Sequence, residues 1–428
     1  MTATVNTAQE PAWSWIIGGG LVSILIGGAM LQMQFGGVGP STEFQTISGY
    51  EKIPSQAAPS LSTPAPEVAV QPAAAAPPSG ATRLRPYSPP AHQPDWLVSP
   101  CSTIRANEIQ RAWAKHLGLP VEVQNRLGQS FRLIPPGIYD RGSQTEQMQS
   151  LMGSMPKEDT HWRDCLLSST PAHRVVVSKP FYLAVNETTQ AEFKAILGRN
   201  PAWYAASGPE PYYVDRVKGE DTSRHPVEGV TWKDAQEFAQ KLASSELGQI
   251  VGLAAFRSSR LSEQACSSEF SEVDCGLAGE VASRSLFSIH YRLPTDAEWE
   301  HACRGGTASP FSFGETEPVA MGWFGEANGG RTWEVGRGEV NPLGLYGVHT
   351  GVWEWVEDHW SVPEYGQYRD WPVLDPRHSA GTPLPHVVRG GMWPDRRSRS
   401  FDRYAYDADF QTFFVGFRLV LDLPAMPD

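Results

Sequence analysis

The longest uninterrupted apolar run lies near the N-terminus. From Trp13 to Phe35 (WSWIIGGGLVSILIGGAMLQMQF) no side chain is charged, and roughly 20 such residues at helical rise cross a hydrocarbon core. The pattern predicts one transmembrane helix over 13–35, after a short tail at 1–12. A cleavable signal peptide fits less well, because the flank MTATVNTAQE carries no Lys or Arg. Within the predicted helix Gly19, Ser23 and Gly27 recur every fourth residue. That spacing either makes a small-residue face for docking another membrane helix or reflects only how common glycine is in membrane spans.

Beyond the apolar run, residues 36–100 form a Pro/Ala/Ser-rich stretch that cannot bury enough apolar surface to fold alone, so it is expected to be a spacer. A helical lead-in is expected over 101–127, with Ile104, Ile109, Trp113 and Leu117 at near-helical spacing and a stop at Gly118 and Pro120. The β-branched and aromatic runs FRLIPPG and HRVVVSKPFYLAV predict strands. Two short amphipathic helices are signalled by their caps. Thr231 precedes Asp234 by three residues, with Trp232, Ala235, Phe238, Ala239 and Leu242 on one face; Thr295 precedes Glu298, and Gly305–Gly306 supplies a left-handed stop. Between them, residues 245–288 are Ser-rich and polar, as in a surface insertion.

Composition sharpens this picture. The 15 Trp, 40 Gly and 36 Pro point to many turns and short strands, an irregular α+β fold. With 47 acidic against 35 basic residues and a formal charge of −12, nucleic acid is not an expected partner. The five cysteines contain no CxxC and no zinc spacing. In an oxidising compartment Cys266 and Cys275 are candidates for one disulfide and Cys101 and Cys165 for a second; in a reducing one all five stay thiols.

The segments FRLIPPGIYDRGS, KPFYLAVNETTQAEF, HPVEGVTWKDAQEFAQKL, YRLPTDAEWEHACRGG, NPLGLYGVHTGVWEWVEDHW, VVRGGMW and VGFRLV occur in this order. Together they resemble the formylglycine-generating, or sulfatase-modifying-factor, family over about 128–422. The resemblance implies an irregular variant of the C-type-lectin architecture with little regular secondary structure, followed here by a tail at 423–428. It also implies a pair of cysteines after the RGG motif that hold copper, and soft thiolates are what Cu(I) prefers. This chain has no cysteine after Cys303, so neither copper nor formylglycine-generating activity is expected. Cys303 itself, four residues after Trp299 on a predicted helix, reads as a packing thiol rather than a reactive one.

The family's calcium loop is also altered. Gly347 stands where a side-chain ligand is implied, leaving the carbonyls of Thr350 and Val352 and the carboxylate of Glu354 as weak calcium candidates; Glu354 paired with an Arg or a backbone N–H is the preferred reading. His349 and Glu354 would need a second histidine to make an iron site. There is no HExxH, GxSxG or phosphate-binding glycine loop in the globular part. Arg389, Arg396, Arg397, Arg399 and Arg403, with Trp393, Phe401, Tyr404 and Tyr406, have the composition of an interface. In the alternative reading, Arg403 and Arg418 pair with acids such as Asp402 and Asp407 while the aromatics fill the core. Asn186-Glu187-Thr188 spells a glycosylation acceptor within a strand-like run and is taken as chance.

The expectation is therefore a single-pass membrane protein, N-terminus cytoplasmic and C-terminal domain periplasmic. Its domain would serve as a non-catalytic accessory or scaffold subunit for other membrane proteins, with no small-molecule substrate identified. An oxidoreductase with another metal site and a carbohydrate- or peptide-binding module are the alternatives.

Overall fold

The computed structural model describes residues 4–6, 21–26, 29–34 and 90–423, the last range without 154–159, 252–289, 316–328, 362–363, 369–371, 380–383 and 392–397. The chain divides into two units, Met1–Gly80 and Ala81–Asp428.

In the first unit the described residues are strands: β1 (Thr4–Asn6), β2 (Leu21–Ile26) and β3 (Ala29–Gln34), in the order β1-β3-β2. Strands β2 and β3 pair antiparallel from Leu21↔Gln34 to Ile26↔Ala29. Within the helix expected over 13–35, residues 21–26 and 29–34 are strands instead, and no helix among the described residues is long and apolar enough to cross a membrane. The same sequence satisfies a period of two, because Val22, Ile24 and Ile26 are β-branched and alternate. Ser23 consequently sits in β2 opposite Gln32, while Gly19 and Gly27, its expected companions on a helix face, lie outside the described residues.

The second unit begins earlier than the expected spacer allows: Trp96 and Leu97 are buried, and β4 (Leu97–Val98) is a sheet strand. Next come α1 (Thr103–Leu117), β5 (Glu122–Gln124), β6 (Ser130–Ile134) and β7 (Gly137–Arg141), then α2 (Thr145–Gly153) and α3 (Thr160–Leu167). Strands β8 (His173–Val177) and β9 (Phe181–Ala184) precede α4 (Gln190–Leu197), α5 (Pro211–Arg216) and α6 (Trp232–Ser244). The remaining elements are β10 (Tyr291–Arg292), α7 (Asp296–Arg304), β11 (Trp353–His359), β12 (Val373–Leu374), β13 (His386–Gly390), β14 (Tyr404–Tyr406), β15 (Val415–Gly416) and β16 (Val420–Leu421). They form three sheets, ordered β10-β16-β9-β6-β5, β14-β13-β11-β15 and β12-β8-β7-β4.

Proline explains how two long apolar runs serve two sheets. Pro135-Pro136 separates β6 from β7, and Pro180 separates β8 from β9. Lacking an N–H, proline cannot continue a ladder, so each run breaks and changes sheet. Strand β6 pairs with β9 (Leu133↔Tyr182), and β7 pairs with β8 (Tyr139↔Val175). Gly137 opens β7 because a Cβ there would lie 2.2 Å from the His301 ring and 2.5 Å from the Leu97 carbonyl.

Helix α1 is capped by Ser102, which accepts from the Arg105 N–H, and stops at Gly118 with φ 62°. Its buried face is Ala106, Ile109, Gln110, Trp113, Ala114 and Leu117. Ile104, expected on that face, is 75% exposed, because a five-residue step rotates it roughly 140° away from Ile109. Helices α6 and α7 both carry complete capping boxes at Thr231/Asp234 and Thr295/Glu298. The apolar face of α6 is buried as its spacing predicts, but α7 is not a surface amphipathic helix: Asp296, Glu300, His301 and Arg304 are buried along with Trp299 and Cys303. The polar side of α7 meets buried charge rather than water.

Candidate functional site

Helix α7 projects two carboxylates into a closed group of ions. Asp296 pairs with Arg141 of β7 at 2.5 Å, with Arg389 of β13 at 2.5 Å and with Arg403 at 2.8 Å. Glu300 pairs with Arg389 and, one turn on, with Arg304 at 2.8 Å. Glu364 closes the ring to Arg403 at 2.9 Å and Arg141 at 3.3 Å. The Arg141 and Arg403 guanidinium groups each lie over the Tyr365 ring, 4.5 Å from its centroid. Burial alone would push these carboxyls up, but the guanidinium groups hold Asp296, Glu300 and Glu364 below the usual carboxylate range.

This network removes part of the expected interaction surface. Arg403 is fully buried and held by Asp296 and Glu364 rather than by Asp402 or Asp407. Arg399 pairs with Asp402 at 3.2 Å. Tyr404 is half-buried, its ring 6.0 Å from Trp353 and 4.8 Å from Tyr406. Trp393, Arg396 and Arg397 lie outside the described residues.

Behind the RGG segment sits Cys303. Its sulfur is 3.7 Å from His349 Nε2, 3.7 Å from Ser400 Oγ and 3.8 Å from the Val348 carbonyl. Burial pushes the thiol up to about 12, and burial likewise lowers His349 to about 4. The imidazole donates from Nδ1 to the Ser398 carbonyl at 2.6 Å and accepts at Nε2 from the Ser312 N–H at 3.0 Å, which fixes the neutral Nδ1–H tautomer. A neutral thiol beside a neutral imidazole is not an activated nucleophile. The expected bridge between Cys101 and Cys165 is not formed, neither residue being in a disulfide. Cys165 packs with Met148, Leu166 and Phe401 in a small separate cluster, while Cys101 precedes the α1 cap and packs on the main core. Cys266 and Cys275 lie outside the described residues.

The loop before β11 carries the second group of charges. Glu354 accepts from Arg418 through both oxygens, at 2.6 and 2.7 Å, and from Trp299 Nε1 at 2.7 Å. Glu187, at the end of β9, lies under the loop with its carboxylate 3.9 Å from Arg418, receiving backbone N–H groups from itself and Val352. Burial pushes Glu187 up to about 7, opposed by Arg418 and aided by Glu354. Gly347 and Gly351, with φ of 72° and 83°, bend the loop round this carboxylate; a Cβ at either would stand 2.4 or 2.1 Å from a Glu187 oxygen. Glu187, Gly347, Thr350 and Gly351 line a shallow pocket of about 40 Å³ whose other wall runs from Arg331 to Arg337.

Residues 119–423 match the sulfatase-modifying factor enzyme 1-like domain. The chain belongs to this family. Among relatives, it is 26% identical over 215 residues to the chaperone protein LppX of Paenibacillus barcinonensis, covering 46% of this chain and 68% of that protein. It is 36% identical over 116 residues to the formylglycine-generating enzyme of Streptomyces coelicolor, covering 24% of this chain but only 36% of that enzyme. Among solved structures, Treponema denticola variable protein 1 aligns over 71% of this chain and 100% of its own, with 23% identity and a TM-score of 0.48.

For a sulfatase-modifying-factor domain, the donor sets here fit neither metal that the family implies. No thiol follows Cys303 in the sequence, and the Glu354 oxygens are already engaged by Arg418 and Trp299. No group of three or more His, Cys, Asp or Glu side chains suited to a metal ion exists among the described residues. Sequence reasoning missed Glu187 and its pocket. The signal available was the polar triplet Asn186-Glu187-Thr188 directly after the apolar strand FYLAV, where a charge must be either paired or used.

Proposed function

We propose that this sulfatase-modifying-factor domain is a recognition module that has left oxidative catalysis, borne at a membrane as an accessory subunit on the extracytoplasmic side. The observation that carries the reading is the absence of any cysteine after Cys303, joined to a Cys303 thiol that is buried, neutral and locked among His349, Ser400 and Val348. On this reading neither copper nor calcium is required. The uncharged, apolar character of 13–35, which holds whether the run is helix or strand, and the Pro/Ala-rich stretch after it support attachment to a membrane, and a relative named as a chaperone is consistent with a protein-binding use.

The test is direct. The full chain, purified in mild detergent and supplied with copper, is incubated with a cysteine-containing sulfatase peptide, and the peptide mass is followed. No aldehyde product is expected; conversion of the cysteine to formylglycine overturns the proposal. Carbonate extraction of native membranes tests the tether, which requires the protein to remain in the pellet.

A further inference from the structure

The start of α6 is joined to the sheet through stacked rings. The imidazole of His386, first residue of β13, stacks on the indole of Trp232 with centroids 3.9 Å apart and 15° between the planes. It also meets the imidazole of His359, at the end of β11, at 4.4 Å. The register accounts for this second contact, because His359 and His386 are Cα partners in the β11–β13 ladder. Trp232 adds two hydrogen bonds, from its indole N–H to the Val356 carbonyl at 2.9 Å and from its backbone N–H to the Ala408 carbonyl at 3.1 Å. A third histidine stands alongside, the His378 carbonyl accepting from the His359 backbone N–H at 3.0 Å.

His386 is 5% exposed, and its Nδ1 is buried with no hydrogen-bond partner. An imidazolium carries an N–H on both nitrogens, so charging this ring leaves a buried donor unpaired. Burial lowers His386 to about 4, with His359 acting in the same direction and the backbone of Glu357 and Asp358 against it. His359 is lowered by burial and then by His378, so each proton added makes the next harder to add. The carboxylates on the surrounding elements are turned to other partners. Glu357 pairs with Arg377 and lies towards Arg292, and Asp358 accepts from the Asp296 and His378 N–H groups at 2.9 and 2.7 Å. On the α6 side, Asp234 pairs with Arg199 at 2.5 Å and Lys233 with Asp409 at 2.7 Å. Tyr406, the partner of His386 in β14, stacks on Phe410 at 4.3 Å, and Asp407 beyond it is exposed.

We propose that this histidine stack is an acid-released latch: with its rings neutral it clamps the first turn of α6 onto β11 and β13, and protonation frees that turn. Opening returns the rings to solvent, where a histidine titrates near pH 6.5. The latch therefore holds fully above that pH and weakens as pH falls from there towards about 4, the lowered folded value of His386. From that difference, His386 alone makes opening about thirty-fold more favourable at pH 5 than at pH 7.5.

Hydrogen–deuterium exchange of the full chain in mild detergent, with rates corrected for the intrinsic effect of pH, supplies the test. Between pH 7.5 and pH 5 the amides in the first two turns of α6 should open at least ten-fold more often. Those of α1, whose buried face contains no histidine, should keep their protection. His386→Phe retains a flat ring against Trp232 without a titrating nitrogen and should abolish most of the increase. His359→Phe, at the half-buried edge of the stack, should shrink it, and serves even if His386→Phe folds poorly. An α6 turn that stays closed at pH 5, as attraction between an imidazolium and the Trp232 ring would produce, would overturn the latch. So would an increase that survives in both variants, or one shared equally by α1, which would mark general acid unfolding.

Discussion

Two buried groups of charge lie in one domain, and they are built on opposite terms. Asp296, Glu300 and Glu364 each face at least one guanidinium, and Asp296 faces three; these three acids are held ionised, while Asp358, which accepts from the Asp296 N–H, is pushed up to about 7 by burial and by Asp296. Under the loop at Gly347, Glu354 is satisfied by Arg418 while Glu187 is left 3.9 Å from the same arginine, and burial keeps its proton on to about pH 7. A closed network fixes two strands, β7 and β13, and helix α7 relative to one another. An acid left to share one arginine with a better-placed neighbour instead keeps its proton to about pH 7.

The largest effect should come from breaking the closed group. Asp296→Ala leaves Arg141, Arg389 and Arg403 sharing too few anions in a buried site, and removing one member of such a set costs about 3–5 kcal/mol. Urea unfolding of the full chain in mild detergent should show that loss or an absence of cooperative folding. A cost under about 1 kcal/mol would mean the group is hydrated and not closed. Glu354→Gln belongs to the same class, because it strands Arg418, and should cost a similar amount.

Glu187 should behave in the opposite way, and pH exposes the sign. Its folded pKa, about 7, lies above the unfolded value, so between about pH 4.5 and 7 the folded state holds more protons than the unfolded one. Stability from this group therefore falls as pH rises through that window, by up to about 3 kcal/mol. Asp296 has the reverse shift: its contribution is present above the unfolded pKa near 4 and is lost as pH falls towards its depressed folded value. Wild type minus Glu187→Gln should thus show a stability difference that moves against Glu187 from pH 5 to pH 8. A flat difference would show that Glu187 is ionised and paired throughout.

How much of this was legible beforehand follows from the range of each signal. The caps of α6 and α7, the prolines that divide the strand runs and the ordered family segments are all local, and the structure places them where the sequence puts them. Ile104 was misplaced because a five-residue spacing resembles helical periodicity only loosely. The 13–35 run was read as a helix because absence of charge says nothing about period, and Val22, Ile24 and Ile26 satisfy a strand equally well. Arg403 looked like surface because its acids, Asp296 and Glu364, are 107 and 39 residues away in the chain; no local pattern announces such partners. Glu187 escaped for the same reason, since the glycines that shelter it lie on a different loop.

Those glycines give the finest test of the comparison. Gly347→Ala puts a methyl 2.4 Å from the Glu187 carboxylate at a φ of 72°. The backbone alone costs about 1 kcal/mol for a non-glycine residue in that region, and displacing a buried carboxylate adds to it. In a Glu187→Ala background only the backbone part remains. A double-mutant cycle should therefore return a coupling of about 0.5–3 kcal/mol between residues 347 and 187. Coupling near zero would mean that Glu187 can swing away freely, in which case the carboxylate is not held at the pocket floor and the contrast with Asp296 collapses. As the baseline, Ile104→Ala, on the exposed side of α1, should change stability by no more than about 0.5 kcal/mol, whereas Ile109→Ala, on its buried face, should cost about 2–5 kcal/mol.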